Sequence, residues 1–288
     1  MLFKAELLAD LASIHGECSW WDSVRNTLYW LDCMGGKFYS YNDLSGSINT
    51  LELPFFPMTF VPHVKGGFIF ASRDSIILSD DSCSAFRTIA RIRHASFDMR
   101  FNDGKCDPAG RFYVGSMGCL GQEDAGILYM LDSGGKIEPV VSGVAISNGI
   151  VWNGAKMYYT DTIFGDVYAF DYDATTGKVS NKKTIFHTSV GMPDGMCMDA
   201  AGNIWAALWG GYKAICFDPN TGKVLHEVEL PVPFVSSVSF GGPELKTLFI
   251  TTSRLDMPQE EIEKYPLSGG LFTVKTDIRG AEMFRCAV

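Results

Sequence analysis

Oxygen-bearing side chains recur along this chain beside glycine turns, at nearly constant spacing. Asn102, Asn148 and Asp194 each stand just before an apolar run, and both intervals between them are 46 residues. Glu17 lies 85 residues before Asn102, which is two intervals of about 42 residues. A single Asn-Gly or Asp-Gly pair usually marks only a turn. Carboxylate and amide oxygens in register, however, are the donors that hard divalent cations prefer. The pattern predicts a metal site if the fold brings these positions together.

The spacing belongs to a longer repeat. The segments "NDGKCDPAGRFYVGSM", "NGIVWNGAKMYYTDT" and "DGMCMDAAGNIWAALW" share one order of turn, apolar strand, second turn and second strand. The same order begins at Glu17 and near Ser237, and a weaker copy begins near Thr59, which makes six units. Four short strands in each unit of about 40–45 residues are typical of a propeller blade. We therefore predict an all-β fold, a six-bladed β-propeller with four antiparallel strands per blade, forming one domain over residues 1–288. A β-sandwich has similar strand density but does not require constant spacing.

The predicted propeller fold brings the polar positions of different repeats together. The first strand of each blade lines the central channel, so equivalent positions of different blades meet at one end of it. The converging set is Glu17, a position near Thr59, Asn102, Asn148, Asp194 and Ser237. Two carboxylates held together repel each other or take up a proton unless a cation compensates them. Ca²⁺, Mg²⁺ and Mn²⁺ suit an all-oxygen set, and Zn²⁺ and Fe²⁺ remain open.

Arg100 lies two residues before Asn102 and so shares its strand face. A guanidinium group there suits the binding of hydroxyl groups or a carboxylate. Asp103 is interpreted as a turn acid and Lys105 as a surface charge. His15, two residues from Glu17, is expected to have a structural role.

Composition limits the partners. The formal net charge of −9 argues against nucleic acid and anionic membranes, which require a basic surface. The eight cysteines form no CxxC cluster, so neither a zinc-thiolate site nor a disulfide framework is expected. No signal peptide is apparent, and we expect a cytoplasmic protein. The N-terminal run "LFKAELLAD" is expected to pair into the last blade, together with "GGLFTVKTD" and "AEMFRCAV". The oligomeric state is left open.

These segments resemble the SMP-30/gluconolactonase/luciferin-regenerating-enzyme family, over residues 6 to 275. The resemblance rests on "RFNDGKCDPAGRFYVGSM", "PDGMCMDAAGNIWAALWGG" and "VSSVSFGGPELKTLFITTSR", and "YPLSGGLF" is similar to bacterial sugar lactonases. It implies a propeller with one divalent cation that opens cyclic esters of aldonic acids. By position, it implies metal ligation by Glu17, Asn148 and Asp194, and substrate contacts by Arg100 and Asn102.

Two departures from the family pattern affect the site. The usual "GEGP" reads "GECS" here, so that Cys18 and Ser19 replace a glycine and a proline beside Glu17. Some members have a substrate-contacting glutamate a few residues after "GSM". That position is Leu120 here, and Gln122, Glu123 or Asp124 would replace it only if the loop shifts.

The sequence thus predicts a hydrolase of carbohydrate metabolism that acts on a pentono- or hexonolactone, with Lewis-acid activation of the carbonyl and attack by water. The water is activated either as a metal-bound hydroxide or by a carboxylate base, for which Asp194 is the candidate. No G-x-S-x-G motif accompanies the histidines, which argues against a serine hydrolase. One alternative is an esterase or organophosphate hydrolase using the same metal site. The other is a non-enzymatic propeller that binds calcium or a partner protein.

Overall fold

The chain is almost entirely β-structure. The computed structural model describes residues 1–120 and 122–288. The described part contains 25 strands, named β1 to β25 in chain order, and three short helical segments. The helical segments are the 3-10 turns Thr162–Phe164 and Pro243–Leu245 and the helix α1, Gln259–Lys264. Within the described ranges, no helix has the length and apolar character needed to cross a membrane.

One compact unit comprises Met1–Pro54 and Ile185–Glu282 and contains three sheets. Their strand orders are β3-β4-β5-β6, β1-β22-β21-β20-β19 and β2-β25-β24-β23. The strands are β1 Leu2–Lys4, β2 Glu6–Ala9, β3 Gly16–Asp22, β4 Thr27–Asp32, β5 Lys37–Asn42, β6 Ser47–Glu52, β19 Met192–Met198, β20 Ile204–Trp209, β21 Lys213–Phe217, β22 Val224–Glu229, β23 Val235–Gly241, β24 Thr247–Thr252 and β25 Leu271–Lys275.

The second compact unit comprises Phe55–Thr184 and Met283–Val288, and it also contains three sheets. Their strand orders are β7-β8-β9-β10, β11-β12-β13-β14 and β15-β16-β17-β18. The strands are β7 Thr59–Pro62, β8 Phe68–Ala71, β9 Ser75–Ser79, β10 Phe86–Arg91, β11 Met99–Cys106, β12 Phe112–Gly118, β13 Gly126–Leu131, β14 Ile137–Val144, β15 Ser147–Asn153, β16 Lys156–Asp161, β17 Asp166–Tyr172 and β18 Val179–His187.

Each sheet is built on an antiparallel meander of sequential strands, to which β2 adds the fourth strand in the sheet of β23 and β1 adds a fifth strand in the sheet of β19. This is the plan of a propeller blade, and the predicted six-bladed β-propeller is confirmed. We call β3, β7, β11, β15, β19 and β23 the leading strands, because each begins the meander of its sheet. In the first unit β23 contacts both β3 and β19, and in the second β11 contacts both β7 and β15.

Large side chains fill the space between the sheets of each unit. In the first unit Trp30, Trp205 and Phe272 are almost completely buried in one continuous cluster. In the second unit Tyr113 and Tyr159 belong to the corresponding cluster. Each side chain of this size contributes about 1.5–3 kcal/mol on burial. Sheet-to-sheet packing within each unit therefore holds the leading strands in place.

The chain ends differ in part from the expectation. Strand β2 pairs antiparallel with β25 in the last sheet, as expected, but β1 pairs parallel with β22 in the preceding sheet. The expected pairing of "AEMFRCAV" with the last blade is wrong, because β2 already occupies the outer edge of β25. In the second unit, Cys286 instead forms a parallel bridge with His63, and Ala287 N donates to Gly110 O at 2.8 Å.

The register of five leading strands shifts near the point where each begins. At each shift the leading strand has one residue more than its neighbour, and this irregularity is a β-bulge. The shifts lie between Glu17 and Trp20, Phe101 and Gly104, Ser147 and Ile150, Pro193 and Met196, and Val235 and Ser237. Bulges re-aim side chains and recur beside active sites.

The bulges refine the predicted equivalence of the polar positions. Asn102, Asn148 and Asp194 are each the first bulged residue of their strand. Glu17 pairs in register with Leu31, one residue before the bulge. The first bulged residue of β3 is Cys18, which has a φ of 58°. A bulge of this kind normally places glycine in the left-handed conformation. Cys18 therefore adopts the left-handed backbone conformation that favours glycine, the residue found here in the family pattern.

We expect Cys18→Gly to leave the free energy of unfolding unchanged or to raise it by up to about 1.5 kcal/mol. Relief of left-handed strain, about 1–2 kcal/mol, opposes the extra backbone entropy of glycine, about 0.5–1 kcal/mol. Urea denaturation of the metal-stripped protein measures the change. The control Cys119→Gly alters an exposed cysteine outside the left-handed region, and it should lose about 0.5–1 kcal/mol. A larger loss for Cys18→Gly than for Cys119→Gly would contradict the strain argument.

Candidate functional site

The first unit contributes two buried carboxylates. Glu17 on β3 is 6% exposed and Asp194 on β19 is 4% exposed. The backbone N–H of Cys18 donates to Glu17 Oε2 at 2.9 Å, so the bulge itself supports this carboxylate. Both side chains belong to leading strands that contact β23. Burial of an ionised carboxylate is costly unless hydrogen bonds or a positive charge compensate it. These two acids therefore suit a cation.

Asn148 contributes an amide oxygen in the second unit. The side chain is 7% exposed, and its Nδ2 donates to Thr162 Oγ1 at 3.0 Å. Thr162 thereby fixes which way the amide faces. None of the described residues donates a hydrogen bond to the buried Oδ1. A buried acceptor of this kind costs about 1–3 kcal/mol unless a ligand uses it. The atom is chemically suited to a metal ion or to a substrate hydroxyl.

Arg100 and Asn102 form a pair on β11. Arg100 Nη1 donates to Asn102 Oδ1 at 2.6 Å and to the carbonyl of Phe101 at 2.9 Å. Asn102 Nδ2 donates to the carbonyl of Ser147 at 2.9 Å. The structure thus brings together the two predicted substrate-binding residues. The remaining guanidinium N–H groups of the half-buried Arg100 can bind oxygen atoms of a small polar molecule.

Two other members of the converging set hold strands together. Thr59 Oγ1 donates to the carbonyl of Gly104 at 3.1 Å and ties β7 to β11. Ser237 Oγ lies 2.6 Å from Thr251 Oγ1 and 3.1 Å from Ser19 Oγ, which ties β23 to β24 and β3. These hydroxyls are buried in hydrogen-bond networks of the protein itself. Their contacts indicate a structural role.

Two further predicted positions are explained by local contacts. Asp103 is buried, and its Oδ1 accepts the backbone N–H of Gly104 at 2.8 Å. His15 is buried beside Trp209, with ring centroids 5.6 Å apart, and its Nδ1 lies 3.0 Å from Ser253 Oγ. Both contacts support the structural roles that the sequence indicated.

The loop after β12 carries the positions considered for an additional substrate contact. Gln122 Nε2 donates to Asp98 Oδ2, and Gln122 Oε1 accepts the backbone N–H of Leu120 at 3.1 Å. Glu123 and Asp124 are exposed. Gly121, within the same loop, lies outside the described residues. Gln122 therefore serves to connect this loop to the segment before β11.

Sequence reasoning missed two positioning aspartates. Asp32 accepts the backbone N–H groups of Ile14 and His15, both at 2.9 Å. Asp161 accepts those of Ala145 and Ile146, at 2.9 and 2.8 Å. Each acid therefore anchors the backbone two residues before a predicted ligand, Glu17 or Asn148. Burial raises the pKa of Asp161, and the two N–H donors oppose this shift. The matching phrases "LYWLD" and "MYYTD" were the available signal.

The two units carry different polar groups. The first unit offers two carboxylates, and the second offers an amide oxygen, a guanidinium group and a second amide. In the described residues, no three or more His, Cys, Asp or Glu side chains group together as a metal site.

Comparison with known proteins places the chain in a family. Residues 15–254 match the SMP-30/Gluconolactonase/LRE-like region. The 6-deoxy-6-sulfogluconolactonase of Pseudomonas putida is 33% identical over 272 residues, which cover 93% of each chain. Regucalcin of Oryctolagus cuniculus is 33% identical over 272 residues, which cover 90% of each chain. A solved structure of a luciferin-regenerating enzyme aligns with a TM-score of 0.91 at 28% identity and covers 99% of both chains. The chain therefore belongs to the SMP-30/gluconolactonase/LRE-like family.

Proposed function

We propose that this protein is a metal-dependent lactonase that opens aldonic-acid sugar lactones of the pentono or hexono series. Membership of the family and the lactonase activity in a relative's name support hydrolysis of a lactone. The observation that carries the metal requirement is the buried Asn148 Oδ1, which accepts no hydrogen bond from the described residues. It lies at the position that the resemblance assigns to an amide ligand.

Glu17, Asn148 and Asp194 would hold the ion. All three side chains are buried and offer oxygen atoms. An all-oxygen donor set suits Ca²⁺, Mg²⁺ or Mn²⁺ best, and it also accepts Zn²⁺ or Fe²⁺. Two carboxylates neutralise a divalent charge, and the amide adds a donor without adding charge. A bound divalent cation supplies Lewis-acid polarisation of the lactone carbonyl and stabilises the negative charge that develops there.

The protein's own groups orient the substrate and move the proton. Arg100 and Asn102 bind ring hydroxyls and so fix the position of the carbonyl carbon. Water attacks this carbon while a carboxylate oxygen of Asp194 accepts its proton. The bond between the carbonyl carbon and the ring oxygen then breaks, and the ring oxygen takes up the proton. The product is the open-chain aldonic acid.

We expect Asp194→Asn to lower metal-dependent turnover by at least about 100-fold, because it removes both a ligand charge and the proton acceptor. Acid release from pento- and hexonolactones measures turnover, using metal-stripped protein with and without each divalent ion. Spontaneous ring opening is subtracted. The control Asp173→Asn alters an exposed turn acid and should retain activity. If no ion supports turnover of any lactone by the wild type, the non-enzymatic binding propeller is favoured.

Asn148→Ala should weaken divalent-cation binding by about 10-fold or more, because it removes a buried oxygen donor. Thr162→Val should weaken it less, since the amide remains but loses the hydroxyl that sets its orientation. Calorimetric titration of metal-stripped protein with Ca²⁺ and Mn²⁺ measures both changes, without any need for activity. Unchanged affinity in Asn148→Ala would remove this residue from the ligand set.

Arg100→Gln should raise KM for sugar lactones by about 10-fold, because it deletes charged donors to their hydroxyl groups. Its effect on an unsubstituted six-membered lactone should stay within about 2-fold. Arg87→Gln, which alters an exposed arginine of β10, is the matched control. Equal losses on both substrates would favour an esterase or organophosphate hydrolase, whose substrates lack these hydroxyls.

A further inference from the structure

A cavity of about 640 Å³ lies beside the strand that carries Arg100 and Asn102. Its walls come from the turn between β8 and β9 and from residues 92–97, which belong to the segment that joins β10 to β11. Arg91 at the end of β10 pairs with Ser75 at the start of β9, and β11 begins at Met99. The cavity therefore opens at the end of the sheets where the substrate-binding pair is located.

The cavity is rich in positive charge although the chain is acidic overall. Arg73 and Arg93 line it and are both exposed. The charge of Arg73 acts on the nearby carboxylate of Asp98, and both guanidinium groups are exposed to solvent. Asp74 is the lining acid, and its Oδ1 accepts the hydroxyl of Ser75 at 2.5 Å. The cavity lining therefore presents two guanidinium groups and one carboxylate.

A second acid, Asp98, directly follows the residues that line the cavity. Asp98 accepts hydrogen bonds from Ser96 Oγ and Gln122 Nε2. The hydroxyl of Ser96 is the main cause that lowers the pKa of Asp98, with smaller effects from Gln122 and the charge of Arg73. Asp98 therefore keeps its negative charge close to Arg73, and its hydrogen bonds fix the segment 92–98.

The cavity wall is anchored to the substrate-binding strand. His94 Nε2 donates to the carbonyl of Arg73 at 2.7 Å, and its ring packs against Phe101 with centroids 5.5 Å apart. The backbone N–H of Phe101 donates to the same carbonyl at 2.9 Å. Phe101 stands between Arg100 and Asn102 in the chain. These contacts fix the position of the cavity wall relative to β11.

We propose that this cavity binds a tetrahedral oxyanion group, phosphate or sulfonate, carried by the substrate at a distance from its lactone ring. Guanidinium groups bind such oxyanions with paired, charge-assisted hydrogen bonds. The volume lies within the range of small-ligand sites, so it accommodates the charged end of a sugar derivative. The inference rests on the proposed lactonase function for the identity of the substrate. The binding of the oxyanion itself does not depend on it.

Binding is tested first with inorganic phosphate and sulfate, by calorimetric titration of the full-length protein. We expect Arg73→Gln/Arg93→Gln to weaken phosphate binding at least 10-fold relative to wild type, and Arg87→Gln to bind like wild type. All three positions are exposed, and thermal unfolding verifies that the variants remain folded. Absence of phosphate binding by the wild type, or equal binding by the double variant, overturns the proposal.

Turnover then distinguishes an oxyanion on the substrate from a free one. The matched pair is a hexonolactone and the same lactone with a phosphate ester on its terminal hydroxymethyl group. We expect the wild type to favour the phosphorylated lactone by at least 10-fold in kcat/KM. The double variant should lose this preference but keep the wild-type kcat/KM for the unphosphorylated lactone. If the wild type turns over the phosphorylated and unphosphorylated lactones equally, the proposal that the substrate carries the oxyanion is overturned. If no lactone is hydrolysed but phosphate binding still depends on Arg73 and Arg93, the lactonase proposal fails and the oxyanion site stands.

Discussion

The leading strands are sheet edges that are nevertheless buried, and this is the constraint on which the site depends. One row of backbone groups on such a strand has no strand partner, and buried backbone groups must be hydrogen-bonded. Side chains of neighbouring strands fill this requirement. Thr59 donates to the carbonyl of Gly104, Asn102 to that of Ser147, and Ser236 to that of Gly16. Short polar side chains are therefore required on strands that would otherwise be wholly apolar.

The same requirement prepares the chemistry. An asparagine that uses its N–H₂ group for a backbone carbonyl or a hydroxyl presents its oxygen in a fixed direction, as in Asn102 and Asn148. The bulges then set which residue of each strand takes this position. Asp32 and Asp161 hold the backbone just before two of the bulges, so the candidate ligands extend from segments that are immobilised on both sides. Binding groups held in this way lose little entropy when a ligand arrives.

Much of this arrangement could be predicted from the sequence, for identifiable reasons. The fold follows from the constant interval between Asn102, Asn148 and Asp194, because one repeated unit needs one repeated packing solution. The pairing of Arg100 with Asn102 follows from strand alternation. The one-residue offset of Glu17 could not be predicted, because a bulge changes register without changing the repeat length. The cationic wall of Arg73 and Arg93 was also missed. These residues belong to turns, where side-chain direction depends on tertiary contacts, such as the ring of His94 against Phe101, that no local pattern encodes.

The division of the N-terminal segment between two sheets has a consequence for self-association. Strand β1 covers the outer edge of β22, and β2 covers that of β25, so about nine residues shield two neighbouring sheets of one unit. An uncovered edge strand is a template for pairing with another molecule. Strand β18 instead lies at the outer edge of its own sheet and carries the exposed lysines Lys182 and Lys183, whose charges oppose such pairing. The outer edges of β22 and β25 are thus protected by paired N-terminal strands, and the outer edge of β18 is protected by charge. Only the first protection is lost if the N-terminus is trimmed, because the outer edges of β22 and β25 are then uncovered.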